Sequence, residues 1–246
     1  MTAYHGGKQR LGKKLAEIIV NISLDIAEEE DFNIKGYCEP FCGMLGVYRY
    51  IPEMFEGEDL YNLRYVAGDT NESVIKMWKS AKKGWKPPTK TTEKEYTKLK
   101  NSKNSSALKG YIGHQYSYGG SWFNGYAPKY GKTTDSSKAS EKIQHISKCL
   151  NDVKFTYGDY QQFTRLKGFI IYCDPPYVNT NDKYISNNFE INEFWNWCNY
   201  MSQTNIIFVS SYQAPKGIQT IFQSSHLLTG GQKMKSKKRI EKLYLL

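Results

Sequence analysis

A proline-rich acidic motif, Asp174-Pro175-Pro176-Tyr177, is the strongest chemical signal in the sequence. Its two prolines fix the backbone and remove two N–H donors, so the turn is rigid and exposes carbonyl oxygens between a carboxylate and an aromatic ring. The carboxylate and a proline carbonyl can each accept one hydrogen of an exocyclic amino group, while Tyr177 stacks on the ring that carries it. We therefore predict that these four residues are catalytic. The alternative is a stiff turn that ends a strand beside a core tyrosine.

A second candidate site is the glycine-containing segment Glu39-Pro40-Phe41-Cys42-Gly43-Met44-Leu45-Gly46. It is neither a GxGxxG fingerprint nor a phosphate-binding loop with Gly-Lys-Ser/Thr. Its glycines would let the backbone approach a nucleoside or amino-acid group closely. Asp69, at the end of the next predicted strand, suits a carboxylate that accepts ribose hydroxyls. Lys8 places a cation near the start of the sequence.

These residues must be positioned by regular elements, which hydrophobic patterns predict in alternation. Helices are predicted over 11–27, from 47–51, around 74–78 and over 140–150 and 191–202. Strands are predicted over 36–41, 65–69, 153–157, 168–173 and 206–210, with 242–246 as a last edge strand. This alternation predicts an α/β fold, an open and mostly parallel sheet with helices on both faces. Ligands bind beyond the carboxyl ends of such strands, where Glu39, Asp69, Asp159 and Asp174 are found.

Positive charge is concentrated in one part of the chain. The 15 lysines and four acidic residues of positions 79–150 give that segment a net charge of +11, although the whole chain carries +10. Such asymmetry favours a polyanionic partner, most often nucleic acid. A solvated, lysine-rich loop is the alternative. We predict a catalytic domain formed by 1–78 and 143–246, interrupted by an inserted recognition region at 79–142.

Several classes of protein are excluded by composition. No apolar run approaches the length of a membrane span, and the N-terminus lacks the apolar core of a secretory signal. The five cysteines are odd in number and form no CxxC pair, and no two of the four histidines have the spacing of metal ligands. We expect reduced thiols, no bound metal and no membrane association in a protein that is not secreted.

Taken together, the motifs resemble those of the Dam-type (alpha-group) N6-adenine DNA methyltransferases. The resemblance rests on the order and spacing of six segments along the chain: Tyr4-x-Gly6-Gly7-Lys8, Glu39-Pro40-Phe41-x-Gly43-x-x-Gly46, Asp69, Asp159-Tyr160, Asp174-Pro175-Pro176-Tyr177 and Ser210-Ser211-Tyr212. The second glycine of the Glu39–Gly46 segment comes one residue later than in the family. Asn of the family's Ser-Asn-Tyr segment is replaced by Ser211.

The resemblance implies the S-adenosylmethionine-dependent methyltransferase fold and that cofactor, with S-adenosyl-L-homocysteine as product and no metal. Lys8 would pair with the methionine carboxylate and Tyr4 would face the sulfonium. Asp69 would bind the ribose, and Asp159 the adenine amino group, with Tyr160 or Phe41 against its ring. The cofactor-binding set is thus Tyr4, Lys8, Glu39, Pro40, Phe41, Gly43, Gly46, Asp69, Asp159, Tyr160 and Asp174.

The family methylates a flipped-out adenine in a short sequence of double-stranded DNA, so DNA is the expected partner. Phosphate contacts are expected from the lysines of the insertion, and a wedge into the duplex from Tyr116, Tyr118 or Trp122. The DNA-binding candidates are Lys98, Lys100, Lys103, Tyr116, Tyr118, Trp122, Asn124 and Lys129. A cognate restriction endonuclease is a candidate partner. We expect a monomer or weak dimer in the bacterial cytosol or wherever the genomic DNA lies, including a virus-infected host cell.

Three alternatives remain open from the sequence. The first is N4-cytosine or RNA amino-methylation on the same fold, although Asp-Pro-Pro-Tyr favours adenine. The second is a non-catalytic nucleic-acid-binding relative, against which the intact Lys8, Asp69 and Asp174 argue. The third is a scaffold with a basic loop, which leaves the strand-end motifs unexplained.

Overall fold

The structure is a computed structural model that describes residue 4 and residues 6–57, 62–127, 137–176, 189–227 and 238–246. Within these residues, seven strands form one sheet in the order β3-β2-β1-β4-β5-β7-β6. The strands are β1 (Gly36–Glu39), β2 (Arg64–Asp69), β3 (Val153–Tyr157), β4 (Phe169–Cys173), β5 (Ile206–Ser211), β6 (Gln219–Leu227) and β7 (Lys238–Leu245). The first five pair in parallel, whereas β7 runs antiparallel to both β5 and β6. The predicted α/β class is confirmed.

Helices connect the strands. They are α1 (Gly12–Glu29), α2 (Ile51–Met54), α3 (Glu72–Lys82), α4 (Glu93–Asn101), α5 (Ala107–Gln115), α6 (Ser137–Ser147) and α7 (Ile191–Met201). In α1 the buried residues Leu15, Ile19 and Val20 recur at helical spacing, as the sequence pattern predicts. None of the helices in the described part of the chain is long and apolar enough to cross a membrane.

The core lies on both sides of the sheet. Every residue of β4 is buried, and alternate residues point to opposite faces. Ile170 and Tyr172 pack in the apolar layer that includes residues of α1, α3 and α5, whereas Ile171 and Cys173 pack in the layer that includes residues of α7. The result is a three-layer sandwich in which β4 is central. The motif that follows β4 is therefore attached to the most buried strand of the sheet.

Two sequence expectations are corrected by the structure. Residues 242–246 do not form an edge strand, because they belong to β7, which lies between β5 and β6. The edge is β6, which the pattern analysis missed since its residues 219–227 are mostly polar, as is common for a solvent-facing edge. The helix expected from 47–51 is a 3-10 turn over Tyr48–Tyr50 followed by the single turn of α2.

The basic segment contains ordered helices and an aromatic core. The helix α5 packs closely on α3, since a Cβ on Gly110 would lie 2.2 Å from the carbonyl oxygen of Ser73. Aromatic side chains replace the aliphatic ones that this stretch lacks: Tyr96, Tyr111, Tyr116 and Phe123 are buried in the same layer as α1 and α3. The described part of this segment is thus packed onto the sheet domain.

Candidate active site

The acidic strand ends converge at one edge of the sheet. Glu39 and Asp69 end β1 and β2, Asp159 lies just beyond β3, and Asp174 directly follows β4. These four strands are parallel neighbours, so their carboxyl ends share the same edge, as the sequence predicted. The chain order reverses between β1 and β4, and a crevice at such a reversal is where open α/β sheets bind ligands. Glu39 and Asp174 flank that crevice.

The strongest interaction of the site joins Lys8 to Asp174. The Nζ atom of Lys8 lies 2.5 Å from Oδ1 of Asp174 and 3.0 Å from Oε1 of Glu241, and it donates to the carbonyl of Gly6 at 3.1 Å. Burial alone would lower the pKa of Lys8, but the carboxylates of Asp174 and Glu241 outweigh it and leave that pKa raised. Lys8 is therefore a buried cation held between two acids.

This arrangement differs from the predicted role of Lys8. We expected its ammonium to pair with a cofactor carboxylate, whereas here its three donors face Asp174, Glu241 and Gly6. The reason is that the Lys8 ammonium reaches the end of β4, where Asp174 begins the catalytic motif. A role at a cofactor carboxylate would need an exchange of these partners.

The ring of Tyr4 lies over the glycine loop. A Cβ on Gly43, whose φ is +41°, would lie 2.8 Å from the Tyr4 ring, so only glycine leaves room for it. Burial, with the negative charges of Asp69 and Asp174, raises the pKa of Tyr4 well above its usual value. Tyr4 is thus an aromatic face between carboxylates, which is a setting that suits a cation.

The second loop glycine packs against the chain itself. A Cβ on Gly46 would lie 3.2 Å from Lys8 backbone and side-chain atoms, and a Cβ on Gly12 would lie 1.9 Å from the Gly46 carbonyl. Gly46 therefore allows close packing of the chain's own N-terminal segment and of α1. Gly46 is also partly exposed, and its contact with a ligand stays a prediction.

Asp69 binds backbone of the same loop. Its Oδ2 accepts from Gly43 N at 2.9 Å and its Oδ1 from Asn71 N at 2.7 Å. Burial raises the pKa of Asp69, although these two hydrogen bonds oppose the shift. Each carboxylate oxygen keeps a second lone pair, so Asp69 can hold the loop and still accept from a ligand.

Glu39 is a buried acid whose pKa lies well above that of an ordinary carboxyl group. It is 2% exposed and accepts from the Tyr37 hydroxyl at 2.8 Å. Burial, with the nearby charge of Asp174, raises its pKa to about 8, against the opposing effect of the Tyr37 hydrogen bond. Its neighbour Pro40 is also buried. Glu39 therefore faces the interior beneath the crevice.

The predicted adenine-binding residues form one aromatic wall. Phe41 and Tyr160 stack on each other with ring centroids 5.7 Å apart, so in this structure no ring lies between them. Phe194 packs edge-on against both. Asp159 is exposed and its Oδ1 caps the next 3-10 turn by accepting from Gln161 N at 2.9 Å.

The catalytic motif is described as far as Pro176. The side chain of Asp174 is 18% exposed, Pro175 is buried and Pro176 is exposed. Beneath them, the hydroxyls of Tyr172 and Ser210 are 2.9 Å apart and join β4 to β5. Tyr177 and the DNA-binding candidate Lys129 lie outside the described residues.

The DNA-binding candidates separate into surface and core residues. Lys98, Lys100, Lys103 and Asn124 are exposed, and Tyr118 is 59% exposed. Trp122 is half-buried. Tyr116 is fully buried, which corrects its proposed role as a wedge: its ring supports the subdomain from within and cannot reach a duplex in this conformation.

His114 connects the insertion to the crevice and was not identified from the sequence. Its ring lies 4.6 Å from that of Tyr4 and 5.0 Å from that of Trp122, between centroids. The Gly120 carbonyl lies 2.9 Å from its Nδ1, so Nδ1 carries the hydrogen of this bond. Burial lowers the pKa of His114 to about 4, which keeps it neutral. Only the adjacent aromatic and glycine residues at 116–126 could have suggested this position.

Comparisons with known proteins agree with this geometry. Residues 109–236, just over half of the chain, match the D12 class N6 adenine-specific DNA methyltransferases. A search of curated proteins finds no match. An rRNA methyltransferase from Streptomyces viridochromogenes is 9% identical with a TM-score of 0.36, over 95% of this chain and 84% of that one. The magnesium protoporphyrin IX methyltransferase of Synechocystis PCC 6803, with bound S-adenosylmethionine, is 9% identical with a TM-score of 0.34, over 93% and 78%.

A mostly parallel sheet whose seventh strand is inserted antiparallel between the fifth and sixth has the methyltransferase fold. The family match includes α5, the catalytic motif and β5. The chain belongs to the D12 class N6 adenine-specific DNA methyltransferase family.

Proposed function

We propose that this protein is a Dam-type enzyme that transfers the methyl group of S-adenosylmethionine to N6 of a flipped-out adenine in a short DNA sequence. The observation that carries the proposal is the position of Asp174-Pro175-Pro176 at the strand-order reversal, inside the segment that matches the adenine-specific family. The bound cofactor would supply an electrophilic methyl group, and the residues of this chain would hold the amine in line with it.

Asp174 is the residue that we assign to the target amine. Its carboxylate would accept one N6 hydrogen and the Pro175 carbonyl the other, which localises the nitrogen lone pair toward the methyl donor. Lys8 orients this carboxylate through their ionic contact. Asp174 need not be a strong base, because the amine proton becomes acidic only as the new N–C bond forms.

The charge of the crevice suits a sulfonium cofactor. Tyr4 and Asp69 both have pKa values raised by burial, and the negative charges of Asp69 and Asp174 raise that of Tyr4 further. A cation between them would relieve this shared cost of burying negative charge. We therefore assign the sulfonium to Tyr4, the ribose to Asp69 and the adenine ring to the wall formed by Phe41 and Tyr160.

Double-stranded DNA is the substrate that the surface residues favour. The exposed Lys98, Lys100 and Lys103 would contact phosphates. Tyr118 projects from a turn in which Gly119, Gly120 and Gly125 have positive φ. We assign to Tyr118 the space that a flipped adenine leaves in the duplex.

The test is to incubate the protein with unmethylated plasmid and methyl-labelled S-adenosylmethionine, and then to identify the modified nucleoside. N6-methyladenine at one short sequence is the expected product, and mapping the modified positions would give that sequence. Asp174→Ala is the matched inactive control. N4-methylcytosine, or label found only in an RNA substrate, would contradict the proposed specificity while leaving the methyltransferase family intact.

A further inference from the structure

We propose that Glu241 is a positioning residue for catalysis, which acts through Lys8 to fix the carboxylate of Asp174. This inference rests on the proposed function, since it concerns the same reaction. The geometry that points to it is a chain of ionic contacts: Glu241 Oε1 lies 3.0 Å from Lys8 Nζ, which in turn lies 2.5 Å from Asp174 Oδ1. Glu241 belongs to none of the six sequence segments on which the family resemblance rests.

The strand topology explains how Glu241 reaches the crevice. The strand β7 runs antiparallel to β5, and its Lys242 pairs with Ser211 at the carboxyl end of β5. Glu241 is therefore placed at the same edge as Asp174, although β7 runs in the opposite direction to β4. On the other side of β7, Glu241 itself pairs with Ser224 of β6. Glu241 is thus held by a strand that is paired on both sides.

A fixed anion is what the position of Lys8 requires. Lys8 belongs to an irregular segment that precedes α1, so no regular element orients its long side chain. The side chain of Lys8 is 4% exposed, and a buried ammonium held by a single partner would move with that partner. With Glu241 on a rigid strand and Asp174 after the central strand, the two carboxylates define the ammonium position from both sides. The orientation of Asp174 therefore depends on Glu241.

The matching variant is Glu241→Gln, which keeps the size of the side chain and removes its charge. We expect the single-turnover rate of methyl transfer to fall by about tenfold, because misalignment of a reacting group has a cost of this order. The affinity for S-adenosylmethionine should change less than about threefold, because Glu241 acts through Lys8 on Asp174, which we assign to the target amine and not to the cofactor. Glu241→Asp, which keeps the charge, should recover part of the rate.

The pH–rate profile separates a positioning role from a purely structural one. Loss of the Glu241 charge removes a like charge from the vicinity of Asp174. The Lys8 ammonium is then no longer shared between Asp174 and a second carboxylate. Both changes favour the ionised form of Asp174, so its pKa should fall. The acid limb of the profile should then move to lower pH in Glu241→Gln. Glu39 has a pKa of about 8, and burial raises the pKa values of Tyr4, Tyr172 and Cys173, so these groups titrate above the acid limb. Burial also raises the pKa of Asp69, but Asp69 is the same in the parent and in Glu241→Gln, so the displacement between the two profiles reports on Asp174.

The control is Glu17→Gln on α1, where the side chain is 40% exposed and pairs with Lys14. It should change neither the rate nor the profile. A folded Glu241→Gln with the parent rate and an unmoved acid limb would overturn the proposal, and so would a lower rate that Glu241→Asp does not recover. If the parent protein itself fails to methylate DNA, the proposed function fails first. If Glu241→Gln does not fold, Glu241→Ala takes its place, since a folded Glu241→Ala with the parent rate and an unmoved acid limb would likewise overturn the proposal.

Discussion

The carboxylate of Asp174 accepts from Lys8 at the mouth of the crevice, and its removal is the most direct test of the chemistry. Asp174→Ala is expected to lower methyl transfer more than about a hundredfold, because the target amine loses its acceptor. S-adenosylmethionine affinity should stay within about tenfold of the parent. Single-turnover rates and calorimetric titration of the same preparation give both quantities. A variant that turns over at the parent rate would remove Asp174 from the mechanism.

Glu39 gives a prediction for the pH dependence of stability. Its pKa is about 8 in the folded protein, against an ordinary value of 4.5. A raised pKa means that its stabilising contribution is complete below about pH 4.5 and is lost as pH rises toward 8. Over that window the parent should lose about 1.4 kcal/mol of unfolding free energy per pH unit relative to Glu39→Gln. Urea unfolding of both proteins from pH 4 to 9 measures this difference, and parallel curves would contradict it.

At the residue scale, the sequence predicts the site residues that lie in short, contiguous motifs. Asp174 and its prolines, the Glu39–Gly46 loop and Asp69 were all found in this way, and they meet at one edge. What could not be predicted is which distant residue each one touches. The pairing of Lys8 with Glu241 and the contact of His114 with Tyr4 depend on tertiary structure, for which no local pattern exists.

At the scale of elements, the aromatic-glycine turn after α5 separates two tyrosines that look alike in the sequence. Tyr118 is 59% exposed and Tyr116 is buried. Tyr118→Ala should lower the single-turnover rate about tenfold or more, through slower base flipping, with little change in stability. Tyr116→Ala should instead cost about 3–5 kcal/mol of unfolding free energy, as core aromatic truncations do. Chemical unfolding and single-turnover rates on both variants test this separation, which equal effects on stability would refute.

The helix α4 and the turn after it carry the second prediction at this scale. Replacing Lys98, Lys100 and Lys103 together with Gln should reduce the slope of log affinity against log salt by up to about 0.9 per lost phosphate contact. Binding should weaken equally on all DNA sequences, because phosphate contacts do not specify bases. Lys13 and Lys14, exposed on α1, are the matched control pair. An unaltered slope in the triple variant would place the DNA elsewhere.

Helices and strands were predictable where the apolar residues follow one clear pattern. The helical spacing of apolar residues in α1 predicts a helix, and the continuous apolar run of β4 predicts a buried strand. Both predictions are confirmed. The strand β6 was missed because its polar residues 219–227 resemble a loop, and α4 and α5 were missed because tyrosines replace the usual aliphatic residues. In both cases the missing signal was hydrophobic periodicity, on which such predictions depend.

At the scale of the whole molecule, alternation of strands and helices predicted a mostly parallel sheet but could not predict the place of the last strand. The position of β7 between β5 and β6 depends on contacts among residues of all three strands, and these contacts form only when the chain folds. This placement matters for function, because it brings Glu241 to the crevice.

The insertion of β7 also bears on the order in which the protein is made. Among the described strands β6 pairs with β7 alone, so during translation it has no place in the sheet until β7 has left the ribosome. The same strand delivers Glu241 to Lys8, a residue that is synthesised long before it. A nascent chain that already displays Lys8 and Asp174 therefore lacks the second carboxylate that fixes the ammonium between them. Competence to methylate and completion of the sheet should consequently arrive together.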